Sequence, residues 1–247
     1  KNYNLELIRM ISFIFVIVIH VSNYYCRAYG DITIGEYSFS LLLNLLARIS
    51  VPCFFMITGA LLLGRQESLH KHAKRIFRFL IVLLVWRNAV YMKDPYQIKD
   101  LLYKPVEQHL WYLYAMIPIY LVLPFFQVMC KGMNLRMERA FLVVITAAVL
   151  FNYISTFFDE KMYYSVPMVG DRIYSYYVFI GYYIYKYRKH VMKGKMIPAG
   201  IFVVCMALNY GLTYAVTLQD GEHYERLLEY GNPLLALAAA MAFLMLV

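Results

Sequence analysis

Charged side chains are scarce in this sequence: Asp, Glu, Lys and Arg make up 16% of its 247 residues, while hydrophobic ones reach 62%. An ordinary soluble domain carries about a quarter charged and about half apolar residues, so a soluble fold is excluded. Also missing are a Walker loop, a dinucleotide fingerprint, a GxSxG elbow and an HExxH helix. Their absence removes support for ATP-driven transport and for hydrolysis of the soluble type. The cysteines Cys26, Cys53, Cys130 and Cys205 form no CxxC pair and match no histidine spacing. No metal site follows, and they read as small buried hydrophobes. The first apolar run contains Arg9 and is not closed by a small-residue cleavage site, which argues against a removable signal peptide. There is no internal repeat and no low-complexity segment.

What the sequence has instead is a succession of apolar runs, about eight of them. They cover about 5–25, 39–63, 76–92, 110–129, 140–158, 173–187, 197–218 and 232–247. Several approach the roughly 20 residues that a helix needs to cross a bilayer, and the expected fold is all-α: a polytopic transmembrane helical bundle in one domain, 1–247. The last run is still apolar at Val247, which suggests that further helices follow. The formal charge of +9 would raise the question of nucleic acid in a soluble protein. Here the charges stand in short loops, so topology explains them and no nucleic-acid partner is expected. With the N-terminus inside, fifteen Lys and Arg fall on the inner side and eight on the outer, which favours a cytoplasmic N-terminus. The loop Lys93 to Gln108, the longest polar connection, is expected partly on the outer surface.

Ionisable groups inside apolar runs are costly and tend to mark function. The first run holds Arg9 and His20 on either side of MISFIFVIVI. Eleven residues at about 100° each end about 20° past three full turns, so the two share a helix face about 16 Å apart along the axis. Ser12, Ser22 and Asn23 add polar groups nearby. Arg9 could instead snorkel to the inner headgroups, and His20 could satisfy a neighbouring helix. In the second run, NLLARISVPCFFMITGALLLG, Arg48 is expected about 13 Å below the outer end, at a depth similar to that of His20. The two could therefore face one polar cavity. Pro52 should interrupt this helix and free carbonyls near Arg48, unless it serves only as a packing kink.

Between the second and third runs comes GRQESLHKHAKRIFRF, a dense basic loop on the side expected to face the cytoplasm. Arg75 and Arg78 are three apart, on one helical face, and could grip phosphate oxygens. Anionic lipid headgroups are the simpler partner for such a loop. Trp111 and Tyr112 open the fourth run, where an aromatic belt explains them without a function. The tyrosines of IYSYYVFIGYYIYKY are too many for a belt alone and could line a pathway for a polyol or sugar.

Taken in order, these segments resemble the membrane-bound acyltransferase 3 family. The likeness rests on Arg9 and His20 separated by ten residues; on ARISVPCFFMITGALL; on the Arg75-Ile-Phe-Arg78 pair; on HLWYLYAMIPIYLVLP; and on YGNPLLALAAAMAFLMLV. It covers nearly the whole chain. Where the family has a Ser-Gly pair in its second helix this chain has Thr58-Gly59, and where the family core has ten helices this chain shows about eight.

The resemblance implies O-acylation of a carbohydrate or cell-envelope glycan, with an acyl group, typically acetyl, delivered by acetyl-CoA from the cytoplasm. It implies a multi-pass protein of a bacterial plasma membrane, with lipids, acyl-CoA and a glycan acceptor as partners and no metal. His20 would match the catalytic histidine, Arg9 its partner, and Arg75 and Arg78 the pair that contacts the donor. Arg48 is added from its depth as a candidate to stabilise the oxyanion, and Asn23, Trp111 and Tyr112 as candidates to contact the acceptor. The rival expectations are a glycan exporter or transporter and a non-catalytic sensor or scaffold.

Overall fold

The computed structural model describes residues 2–90, 110–158, 173–191 and 194–247. The expected outer loop from Lys93 to Gln108, and the outer charges Asp159, Glu160, Lys161 and Arg172, lie outside the described residues. Among those described there are nine α-helices: α1 (Tyr3–Arg27), α2 (Ile34–Arg48), α3 (Ser50–Leu62), α4 (Leu69–Val90), α5 (Trp111–Gly132), α6 (Leu135–Ser155), α7 (Tyr174–Val191), α8 (Met196–Asp220) and α9 (Pro233–Leu246). Short 3-10 turns add Thr156–Phe158 and Arg226–Leu228. The helices α2 and α3 form one broken span, so the eight apolar runs fall on eight helical bodies.

Six of these bodies are long and apolar enough to cross a membrane: Tyr3–Arg27, Ile34–Leu62, Trp111–Gly132, Leu135–Phe158, Met196–Asp220 and Arg226–Leu246. The helices α4 and α7 are not among them. Lys71, Lys74, Arg75 and Arg78 occupy the first half of α4, and α7 ends in Lys186, Arg188 and Lys189.

Helix ends follow local chemistry. Thr33 and Glu36 close a capping box on α2: the Glu36 amide donates to Oγ1 of Thr33 at 3.3 Å, and the Thr33 amide donates to the Glu36 carboxylate at 2.9 Å. That box starts α2 five residues before the apolar run does, which places Arg48 fourteen residues, about 21 Å, into the helix. The expected 13 Å was measured from Phe39 and is corrected by this polar first turn. Pro52 has no N–H to give the Arg48 carbonyl four residues back, and its ring crowds that carbonyl. The helix accordingly breaks at Ile49, between Arg48 and Ser50, and resumes with the Cys53 amide donating to the Ile49 carbonyl at 3.1 Å. Gly221, at φ 74°, ends α8 in the left-handed conformation that suits glycine. Asn232 caps α9 through the Leu234 amide at 2.9 Å, with Pro233 at its first position.

The chain divides into two compact units, Lys1–Leu61 with Leu135–Val247, and Leu62–Asn134. In the first, Cys26, Tyr37, Leu41, Leu45, Cys205, Met206, Leu228, Leu235 and Ala238 form a buried cluster joining α1, α2, α8 and α9. A backbone contact adds to it. A Cβ on Gly59 of α3 would stand 1.8 Å from the Val178 carbonyl oxygen of α7, and one on Gly181 would stand 2.2 Å from the Met56 carbonyl oxygen. Small residues allow this approach, the usual device where lipid offers no hydrophobic drive between helices. All four cysteines are buried.

The second unit pairs α4 with α5 through Leu83, Leu110, Leu113, Tyr114 and Ile117. Phe79 lies against Tyr120 with ring centroids 5.2 Å apart, and Gln127 donates to the Leu62 carbonyl at 2.8 Å. That bond satisfies one of the carbonyls that the end of α3 leaves without an intrahelical partner.

The outward surfaces are apolar. Phe13, Phe125 and Val143 expose 65%, 73% and 69% of their area, amid many other large aliphatic side chains. Patches on this scale do not suit water, and a lipid surround accounts for them.

Candidate active site

Arg48 is the centre of a polar network in the first unit. Its Nε donates to Oδ1 of Asn44 at 2.8 Å, one turn earlier on α2. Its Nη1 donates to the Leu228 carbonyl at 2.9 Å, and its Nη2 donates to Oδ1 of Asn23 on α1 at 3.3 Å. The Tyr230 ring centroid lies 5.9 Å from the guanidinium carbon. Fully buried Asn44 in turn donates to Oγ of Ser22 at 3.0 Å and to the Ile19 carbonyl at 3.3 Å. The side chain therefore turns back toward the loop end of α1, so the guanidinium lies at the level of Asn23 although its Cα lies deeper. A guanidinium has five N–H groups. Three are used, which leaves one on each terminal nitrogen without a hydrogen bond among the described residues.

His20 is exposed and makes no hydrogen bond among the described residues. It stands one turn before Asn23 on α1, an i,i+3 neighbour with Cβ atoms about 5–6 Å apart. Exposed Phe13, Ile17 and Tyr24 surround it on the helix surface. The two residues of the expected pair with Arg9 keep their common flank by helix geometry, but Arg9 has its own partner. Nη1 of Arg9 donates to both carboxylate oxygens of Glu6 at 2.9 and 2.8 Å.

A second set of polar groups lies at the loop end of α2 and α8. Buried Tyr37 donates to Oγ1 of Thr217 at 2.9 Å and stands 2.9 Å from Nδ1 of His223. Arg27 and Glu225 form an ion pair at 2.6 Å. The Arg27 hydrogen bond holds the Glu225 carboxyl below its ordinary pKa, and burial pushes the His223 imidazolium below its own. Neither Asn44 nor His223 was marked by the sequence. Asn44 had a signal, since it lies four residues before Arg48 and so shares its helix face.

In the second unit Nη1 of Arg75 and Oε2 of Glu67 stand 2.5 Å apart, and Arg78 is exposed. The Arg75 guanidinium holds the Glu67 carboxyl below its ordinary range. Trp111 and Tyr112 are half-buried and meet edge to face with ring centroids 6.3 Å apart. The tyrosines of α7 are tied to the protein. Tyr177 donates to the Tyr230 carbonyl at 2.6 Å, Tyr187 donates to the buried Glu138 at 2.5 Å, and Tyr185 accepts from Asn2 at 3.1 Å. Fastening of α7 to α6 and to the segments that precede α1 and α9 explains these three hydroxyls without a sugar pathway.

An all-α chain with six helices of spanning length, lipid-suited outer faces and a cation knitted between two of them is a multi-pass membrane protein. The acyltransferase 3 family, described as an acyltransferase domain, matches residues 2–247. The chain belongs to that family and is a membrane acyltransferase. No curated protein and no solved structure matches it.

Proposed function

We propose that this protein moves an acetyl group from cytoplasmic acetyl-CoA to a hydroxyl of a carbohydrate or cell-envelope glycan in a bacterial plasma membrane. The observation that carries the reading is the anchored Arg48, hydrogen-bonded to Asn23 one turn from the exposed imidazole of His20. In this reading His20 takes the proton of the acceptor hydroxyl as the oxygen attacks the thioester carbonyl. The tetrahedral oxyanion is stabilised by the remaining N–H groups of Arg48, whose other bonds fix its position beforehand. Collapse forms the ester, breaks the C–S bond and returns the proton from His20 to the leaving thiolate.

Arg75 and Arg78, three residues apart on α4, suit the phosphates of the donor. Asn23, Trp111 and Tyr112 are the candidates to contact the acceptor, and Arg9 is the candidate partner of His20. The distribution of Lys and Arg supports a cytoplasmic N-terminus.

The test is release of CoA thiol from acetyl-CoA by the purified protein in lipid nanodiscs, with and without a carbohydrate acceptor. Acceptor-dependent release that His20→Ala abolishes, with an unchanged thermal transition, is the expected result. Equal acylation by wild type and His20→Ala would overturn the assignment of His20. Acceptor movement without thiol release would favour export.

A further inference from the structure

His72 is the most isolated polar side chain near Arg75. It exposes 3% of its area, and neither ring nitrogen has a hydrogen-bond partner among the described residues. A buried imidazole with both nitrogens unpaired carries a desolvation cost, so its position calls for an explanation. On α4 it stands three residues before Arg75, which stands three before Arg78, so Arg75 is an i,i+3 neighbour of both and lies between them around the helix.

Glu67 stands two residues before this helix, and its carboxylate is pressed against Arg75. Nη1 of Arg75 and Oε2 of Glu67 face each other at 2.5 Å. A guanidinium next to a carboxylate is an anion site already occupied by the protein's own anion. The two side chains keep 25% and 12% of their area exposed while the facing atoms Nη1 and Oε2 are themselves covered, so an incoming anion meets Nη1 only once Glu67 moves away.

We propose that His72, Arg75 and Arg78 form a phosphate site that Glu67 fills as an internal substitute until a phosphate-bearing ligand displaces it. On displacement Arg75 exchanges a carboxylate for a phosphate, and the buried imidazole acquires an acceptor for its N–H. The donor assignment given above is what makes this ligand acyl-CoA; the same chemistry would also serve a lipid phosphate.

The experiment measures binding of adenosine 3′,5′-bisphosphate, the phosphate-bearing end of CoA, to the full chain in nanodiscs of neutral phosphatidylcholine. Glu67→Gln, which keeps shape and removes the competing charge, should tighten binding about tenfold. Should it fail to fold, Glu67→Asp, whose shorter side chain draws the carboxylate back, carries the same direction. His72→Leu should weaken binding several-fold while melting at a temperature no lower than wild type, because it removes an unpaired buried polar group. A residue of purely structural importance would not separate the two readouts in that way.

Unchanged binding in Glu67→Gln, or His72→Leu that binds as well as wild type, overturns the proposal. If the bisphosphate fails to bind but nanodiscs containing phosphatidic acid shift the melting temperature, and Glu67→Gln enlarges that shift, the phosphate site stands and the donor assignment falls. If neither probe has an effect, the site itself is refuted.

Discussion

Nη2 of Arg48 donates to Oδ1 of Asn23 across 3.3 Å, so a cation rooted deep in α2 is held at the level of α1 where His20 lies one turn away. Two further bonds, to Asn44 and to the Leu228 carbonyl, fix the guanidinium in three directions. Arg48→Lys keeps the charge but has no planar fork to satisfy three separated acceptors. Expected are a loss of about 1–3 kcal/mol in stability and a fall in turnover of about tenfold or more, with little change in KM for acetyl-CoA. Melting curves and steady-state kinetics read the two effects. A Lys variant with wild-type turnover would remove Arg48 from the chemistry.

Arg75 and Arg78 predict a different kinetic pattern. If they bind the donor and take no part in the chemical step, replacing both with Ala should raise the KM for acetyl-CoA more than it lowers kcat. The reverse pattern would argue for a role in transfer or in holding the fold.

The close approach of α3 and α7 predicts a steric effect away from the site. Gly59→Ala would bring a methyl within 1.8 Å of the Val178 carbonyl oxygen, a backbone atom that cannot swing aside. The helices must separate, at a cost of about 1–3 kcal/mol or more, and Gly181→Ala should behave alike. Gly211, with nothing within 4 Å of an added Cβ, is the control, and Gly211→Ala should leave the melting temperature unchanged or raise it.

Much of this architecture could be read from residue order, because a bilayer imposes one requirement on every span. Apolar runs of the right length located the helices, and Arg48 stood out as a cation where lipid is expected. Pro52 announced the break that falls at Ile49. What could not be read needed three dimensions. The Leu228 carbonyl that receives Arg48 is backbone and has no residue signature, and Gly59 is informative only once Val178 is known to lie against it. The start of α2 was misjudged because a capping box, and not hydropathy, begins that helix. His72 hid within a run of basic residues, where burial is the one property that separates it from His70 and Lys71.

Acid sensitivity should arise at the loop end of the first unit. Burial places the folded-state pKa of His223 below its ordinary 6.5, so the unfolded chain binds more protons as the pH falls past that value. Stability from this group is therefore present above about pH 6.5 and is lost as pH falls toward the folded-state value. Glu225, held below its ordinary 4.5 by Arg27, adds a second loss that begins lower, below about pH 4.5. Both losses have the same sign, so the melting temperature should decline in two stages on acidification. His223→Gln keeps a hydrogen-bonding group near Tyr37 but cannot titrate, and it should flatten the stage that begins near neutrality while leaving the acidic one. Glu225→Gln should do the converse. Melting temperatures of the three proteins from about pH 8 down to about pH 2 decide the matter, and a His223→Gln profile that overlays the wild type would show that the neutral-range loss arises elsewhere.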